Sequence, residues 1–154
     1  MTEDARFEDG AARPLHLGAM DTDDLAVLSA LAQDAVFPVT EMTWQRSRRR
    51  FALLLNRLRR EERAPGGPER VQSVLVIDNV LKVESQGVDR AETDTILSLL
   101  SVDFEPGPDA TGHVLLTLAG DGVIRAEVEA LELTLKDVTR PYLAPSGKTP
   151  QHPD

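Results

Sequence analysis

The spacing of apolar residues changes at Pro38, and this change limits the folds that are open to the chain. Before the proline, Leu25 and Leu28 belong to a set that recurs every three or four residues, which is typical of a helix with one buried face. After it, Met42 and Trp44 begin an alternation of apolar and polar residues, which is typical of a half-buried strand. One helix followed by a β-rich chain is therefore predicted.

The helix is predicted at residues 22–35. Asp21 or Thr22 can accept hydrogen bonds from the free amides at its start, and Asp23 and Asp24 lie in the first turn, where the helix dipole favours negative charge. Pro38 prevents its continuation. The residues of its apolar stripe are Leu25, Leu28, Leu31, Ala32 and Ala35.

Strand patterns cover most of the chain after residue 40. In segment 95–104 a helix start is the alternative, but alternate apolar residues favour a strand. The predicted strands are residues 40–45, 51–58, 71–77, 80–85, 95–104, 113–119, 123–130 and 131–135. Most are joined by short connections, which favours antiparallel pairing.

Turn residues predict where neighbouring strands form hairpins. Ser47–Arg50 would turn the first one, Asp78-Asn79 the second, and Gly120-Asp121-Gly122 the third and clearest. At Ala130-Leu131 the alternation of apolar residues shifts by one position. Because such a shift moves later side chains to the other face of a sheet, a bulge or sharp bend is expected there.

The predicted fold class is α+β, mainly β, with one N-terminal helix packed on about seven to eight antiparallel strands. A curved sheet, a sandwich and a partly closed barrel all fit this outline. Residues 14–140 are expected to form one globular domain, which is an ordinary size. Residues 1–13 and 141–154 are polar or rich in proline, and both are expected to be disordered tails.

The composition excludes several classes of site. The chain of 154 residues contains no cysteine, so disulfides, thiolate nucleophiles and Cys-ligated metals are excluded. No signal peptide or membrane span is expected, and the cytoplasm is the predicted location. No cofactor and no metal site are predicted.

The charge is distributed unevenly along the chain. The net charge is −9, yet residues 46–70 contain nine arginines and three glutamates. Arginine side chains present planar, permanently charged groups that suit carboxylates and phosphates. The candidate anion- or partner-binding residues are Arg46, Arg48, Arg49, Arg50, Arg57, Arg59 and Arg60.

Three functional hypotheses follow from the arginines and the outline of the fold. The first is a non-catalytic binding or assembly module whose arginine hairpin contacts an acidic protein surface, on a partner or on a second copy. The second is binding of nucleic acid or a nucleotide by the same basic patch. The third is a small-molecule pocket, or an enzyme, between the helix and the sheet. The alternative to all three is a solvated turn whose charges pair with the acidic remainder of the domain.

Catalytic motifs are missing from the sequence. It contains no glycine-rich phosphate loop, no nucleophile elbow and no evident nucleophile–base pair, so an enzyme is not predicted. The histidines are His16, His113 and His152, and ordinary surface positions explain them. Two pairs of carboxylates could act in acid–base catalysis, but a solvent-exposed sheet face is the favoured explanation for both. The pairs are Asp103 and Glu105 in one strand and Glu127 and Glu129 in another.

Four segments resemble a family of short, mainly alphaproteobacterial proteins known as domain of unknown function 2948. The resemblance extends over about residues 15–140, and it implies a compact bacterial domain without a known activity or site residues. The segments that carry it are Leu25–Val36, Arg49–Arg57, Leu97–Gly107 and Ile124–Glu129.

Overall fold

The structure of the protein is a computed structural model that describes residues 14–60 and 69–143. Within these residues the chain forms one α-helix, α1 (Thr22–Ala32), and eleven strands. The strands are β1 (His16–Ala19), β2 (Val36–Pro38), β3 (Met42–Gln45), β4 (Arg50–Leu58), β5 (Glu69–Ile77), β6 (Val80–Gln86), β7 (Ile96–Pro106), β8 (Gly112–Leu118), β9 (Val123–Val128), β10 (Leu133–Asp137) and β11 (Tyr142–Leu143). Short 3-10 turns lie at Val39–Glu41 and Arg46–Arg48.

The predicted class, α+β and mainly β, is confirmed. Each of the eight predicted strands corresponds to one of β3 to β10. The three further strands are β1, β2 and β11, which have only four, three and two residues. Segments this short contain too few alternations to be recognised from a sequence.

All strand pairs are antiparallel, and they form one open sheet in the order β1-β10-β5-β4-β2-β7-β8-β9-β6. Two strands lie off this path, since β3 pairs with β4 and β11 pairs with β5. The short β2 joins the two halves of the sheet, because Val36 lies opposite both Asn56 of β4 and Ser98 of β7. The sheet curls, since the Val80 amide at the start of β6 donates to the Arg49 carbonyl beside β4 at 2.8 Å.

Helix α1 begins as predicted and ends three residues early. Asp21 is its N-cap and accepts a hydrogen bond from the Asp24 amide at 2.8 Å. At the other end, Asp34 adopts a left-handed conformation with φ +69°. Its amide donates to the Leu99 carbonyl, and the Leu99 amide donates to the Ala35 carbonyl, both at 2.8 Å. The backbone therefore leaves the helix because it bonds to β7.

The predicted hairpin at Asp78-Asn79 is wrong. The strands on its two sides are β5 and β6, and β5 pairs with β4, β10 and β11 whereas β6 pairs with β9. Asn79 adopts φ +61°, which directs the chain from one half of the sheet to the other. A turn signal is local, so it cannot distinguish a hairpin from a crossover.

The other turn predictions are confirmed. β3 and β4 form a hairpin in which Trp44 lies opposite Phe51. β8 and β9 form a hairpin around Gly120 and Asp121, which have φ of +82° and +69°. The shift at Ala130-Leu131 is the second crossover between the halves of the sheet, because β9 ends at Val128 and β10 begins at Leu133.

The two crossovers run side by side. The Asp78 amide donates to the Glu132 carbonyl at 3.0 Å, and the Glu129 amide donates to the Asn79 carbonyl at 2.9 Å. A single hydrophobic core lies inside the curled sheet, with α1 packed against it through Leu25 and Leu28.

The division into one domain, residues 14–140, and two tails stays a prediction. The prediction places Tyr142 and Leu143 in the C-terminal tail, but they pair with Arg70 and Glu69 of β5. The remainder of the two predicted tails lies outside the described residues.

Candidate binding site at the arginine hairpin

The β3–β4 hairpin brings four of the candidate arginines together. The 3-10 turn of Arg46–Arg48 follows β3, and Arg49 closes it with φ +52° and an amide that donates to the Arg46 carbonyl at 3.1 Å. All residues from Arg46 to Arg50 are exposed. This segment is called the arginine tip below.

The arginine tip is fixed to the two crossovers. The Arg49 carbonyl accepts the Val80 amide, and the Arg49 guanidinium pairs with Glu129. Arg50 Nε donates to Asp78 Oδ1 at 2.9 Å. Two of the four arginines are therefore paired with carboxylates of their own domain, as the solvated-turn alternative expects.

Arg46 and Arg48 differ from these two. Each is exposed, and neither has an ion-pair partner among residues 14–60 and 69–143. Because the backbone of the turn is held at Arg49, these two cations project from a defined position. They are the part of the predicted site that remains available to a ligand.

Arg57 lies at the other end of β4 and is completely buried. Its guanidinium contacts Asp137 through Nη2 at 2.8 Å to Oδ1 and 3.1 Å to Oδ2. Its Nε donates to Ser73 Oγ at 3.0 Å, and Ser73 Oγ in turn donates to Asp137 Oδ1 at 2.7 Å. We call Arg57, Ser73 and Asp137 the buried polar cluster.

The buried polar cluster also holds the first described residues. Asp137 Oδ2 accepts a hydrogen bond from the Leu15 amide at 2.8 Å, and the Asp137 amide donates to the Leu15 carbonyl at 2.9 Å. Four separate parts of the chain thus meet at one carboxylate. A buried ion pair can offset the cost of removing its charges from water when the remaining hydrogen-bonding positions are filled in this way.

The remaining two candidates are also engaged within the domain. Arg59 is buried and its Nη1 lies 3.2 Å from Glu69 Oε1. Arg60 is partly exposed, and its Nη2 lies 2.7 Å from Asp34 Oδ2, just beyond α1. Both Arg57 and Arg59 are too buried to form a binding surface.

The seven candidates therefore do not form one surface. Arg50 and Arg57 are seven residues apart on one extended strand, roughly 23 Å at 3.3 Å per residue. The sequence did contain a signal that Arg57 is buried. Phe51, Leu53 and Leu55 precede it at every second position, so all four residues lie on the core-facing side of β4. Its partners Ser73 and Asp137 occupy equivalent buried positions of β5 and β10, but nothing in the sequence pairs those strands.

The third hypothesis places a small-molecule pocket between α1 and the sheet. Leu25 and Leu28 are buried in this interface, and Leu31 packs against the same core. A groove of about 420 Å³ lies beside it, between the exposed face of α1 and residues 100–104 of β7. Ser29 lines the groove, but its hydroxyl accepts the Val102 amide at 2.8 Å.

The carboxylates predicted to form a wet sheet face do lie on the solvent-facing side of the sheet. Asp103 accepts a hydrogen bond from Ser101, and Glu105 lies 3.8 Å from Arg125. Glu129 is occupied by Arg49 of the arginine tip. Within the described part of the chain, no group of three or more His, Asp or Glu residues is placed to hold a metal ion.

The chain was compared with protein families, curated proteins and solved structures, and only the first comparison finds a match. A family model described as "Protein of unknown function (DUF2948)" matches residues 15–152. No curated protein and no solved structure matches the chain. In the described residues, no helix is long and apolar enough to cross a membrane.

Proposed function

We propose that this chain, which belongs to the DUF2948 family of proteins of unknown function, is a non-catalytic binding module. In this proposal the arginine tip contacts an acidic surface on another protein or on a second copy. The single observation that carries the proposal is the exposure of Arg46 and Arg48 without an ion-pair partner in the described residues.

The rigidity of the tip supports a binding role. Arg49 is tied to Val80 and Glu129, and Arg50 is tied to Asp78, so the turn loses little freedom when a partner binds. Binding surfaces that are ordered in advance avoid part of the entropic cost of association. Each of the two guanidinium groups on such a turn can donate two parallel hydrogen bonds to one carboxylate, a geometry that arginine favours.

An acidic protein surface is favoured over nucleic acid. Single-stranded nucleic acids bind through basic grooves combined with aromatic side chains on which bases stack. Near the tip, Phe51 is buried and Trp44 is half-buried against the core, so neither is a fully exposed side chain for stacking. The net charge of −9 also opposes a general affinity for polyanions.

Fluorescence anisotropy with two labelled probes, polyglutamate and a single-stranded DNA oligonucleotide, tests the proposal over a salt series. The intact protein is expected to bind polyglutamate at low salt, with affinity that falls as salt screens the charges. The double variant R46E/R48E is expected to lose this binding. The control R90E/R140E changes the net charge by the same amount at exposed positions and is expected to retain most of it.

Each remaining outcome counts against the proposal. Equal loss of polyglutamate binding in the control variant would mean that net charge, and not the tip, controls association. DNA binding that depends on Arg46 and Arg48 and declines steeply with salt would replace the proposal with the nucleic-acid alternative, because counterion release produces that slope. No polyglutamate binding at low salt would reject the tip as an anion-binding site.

A further inference from the structure

Strand β6 forms one edge of the sheet. Among the described strands its only neighbour is β9, with which it pairs from Val80 to Gln86. Four of its seven residues are exposed, and Leu81 is 44% exposed. An edge of this length offers unpaired backbone groups to another strand.

The pairing of β9 fixes which backbone groups of β6 face outward. The Leu118 amide donates to the Gly122 carbonyl, so even-numbered residues of β9 direct their backbone groups to β8 and odd-numbered residues direct theirs to β6. The Glu129 amide, which bonds to Asn79 ahead of β6, agrees with this alternation. Since Lys82 and Glu84 lie opposite odd-numbered residues of β9, the amides and carbonyls of Val83 and Ser85 point away from the sheet.

Charged side chains on the exposed face of β6 alternate in sign. Lys82 lies opposite Glu127, and Glu84 lies opposite Arg125. Within β6 itself, Lys82 Nζ lies 3.1 Å from Glu84 Oε1, and both side chains are more than half exposed. The strand therefore presents a cation on one side of Val83 and an anion on the other.

We propose that β6 pairs with β6 of a second copy, antiparallel about a two-fold axis at Val83. The two Val83 residues would exchange amide–carbonyl hydrogen bonds, and the open sheet would continue across both copies. Each Lys82 would lie opposite Glu84 of the other copy, at a non-hydrogen-bonded position where facing side chains are closest. Such an interface is isologous, so it closes with two copies.

Charge selects this register over its neighbours. In an antiparallel pair, facing residues must both point their backbone groups toward the partner or both point them away. A two-fold axis at Lys82 would place two ammonium groups face to face, and one at Glu84 would place two carboxylates face to face. With the axis at Val83, every Lys82 lies between Glu127 of its own chain and Glu84 of the other copy.

Charges at a sheet edge commonly prevent pairing, because like charges meet when two copies align. In β6 the opposite holds, since the cation and the anion are placed symmetrically about Val83. The interface is a single strand pair, which places it in the class of weak, small interfaces. The Arg49 carbonyl already accepts the Val80 amide at the start of this edge, so the part open to a second copy is Leu81–Gln86. Arg46 and Arg48 do not enter the argument, so this inference does not depend on the proposed function.

Sedimentation velocity over a concentration series into the millimolar range, at low salt, measures the dimer. S85P is expected to abolish it, because proline removes an outward amide that no described strand of the monomer uses. Each of K82E and E84K alone is expected to weaken it roughly tenfold, since both symmetry-related ion pairs become repulsive. R140E is the control, because it makes the same change of charge as K82E at an exposed position outside β6 and the arginine tip, and it should leave the dimerisation constant unchanged.

Mixing K82E with E84K gives the sharpest result. In a mixed dimer both facing pairs again have opposite charges, so the mixture is expected to dimerise about as tightly as the intact protein, whereas each variant alone dimerises roughly tenfold more weakly. A mixture that stays monomeric, or an intact protein that is monomeric throughout the series, would overturn the proposal. Amide hydrogen exchange adds a further test: slow exchange at Val83 and Ser85 in dilute monomer would show that another segment of the same chain covers the edge, which also overturns it.

Discussion

Strand β4 carries arginines at both ends, and their surroundings are opposite. Arg50 and the rest of the arginine tip lie in solvent at its start, where Arg49 and Arg50 pair with exposed or partly exposed carboxylates. Arg57, near its end, has no exposed surface and shares Asp137 with Ser73 and Leu15. One residue type thus serves as a surface charge at one end and as a core residue at the other.

The difference teaches that a cluster of arginines in a sequence need not be a cluster in space. An exposed ion pair gains little because water already solvates both charges, whereas a buried charge that loses its partner cannot be solvated again. When an arginine of β4 or its flanks is replaced, the loss in the free energy of unfolding should therefore depend on how buried that arginine is, and not on its position in the sequence. Arg57, Arg60 and Arg49 form a graded series for testing this.

The largest effect is expected for R57M. The substitution leaves the Asp137 carboxylate buried without its cation, and the free energy of unfolding should fall by about 3–5 kcal/mol. Urea denaturation followed by the fluorescence of Trp44, the single tryptophan, measures the change. R48M is the matched control at the exposed tip and should unfold at the same urea concentration as the intact protein. Equal stability of R57M and R48M would contradict the contrast.

A smaller effect is expected for R60M. The Arg60 side chain is 32% exposed while its partner Asp34 is 6% exposed, so the lost ion pair lies between the surface and the buried case. The expected loss is about 1–2 kcal/mol in the same urea experiment. A loss as large as that of R57M would show that partial exposure does not moderate the penalty.

The smallest effect is expected for R49M. Arg49 and Glu129 are 57% and 48% exposed, so the pair is worth about 0–1 kcal/mol. A double-mutant cycle with E129Q isolates the interaction, which should disappear at high salt because the charges are screened. A coupling that persists in high salt would mean that the tip is held more firmly than an exposed ion pair allows.

The local parts of the fold could be predicted from the sequence, because their causes are local. The Asp21 cap, the Gly120-Asp121 hairpin and the change of phase at Leu131 each depend on a few adjacent residues. Strand order depends on which distant segments share the core, and the Asp78-Asn79 prediction failed for that reason.

The candidate site could be predicted only in part. The alternating patterns of β3 and β4 predict that residues 46–50 lie together at the tip of a hairpin. That Arg49 and Arg50 are paired follows from the positions of Glu129 and Asp78, which lie on crossovers that no sequence pattern brings to the tip. Arg57 could have been separated from the others, because it continues the buried alternation of β4.

The hydrogen bonds between Leu15 and Asp137 have a kinetic consequence. They join residues that are 122 positions apart, whereas β7 pairs with β8 and β8 pairs with β9, each with the strand that follows it along the chain. Contacts that close long loops cost more entropy and tend to form after local hairpins. We therefore expect Asp137 to be unpaired with Leu15 in the folding transition state. Weakening this contact should then accelerate unfolding and leave the folding rate nearly unchanged, which makes it a determinant of how long the native state persists.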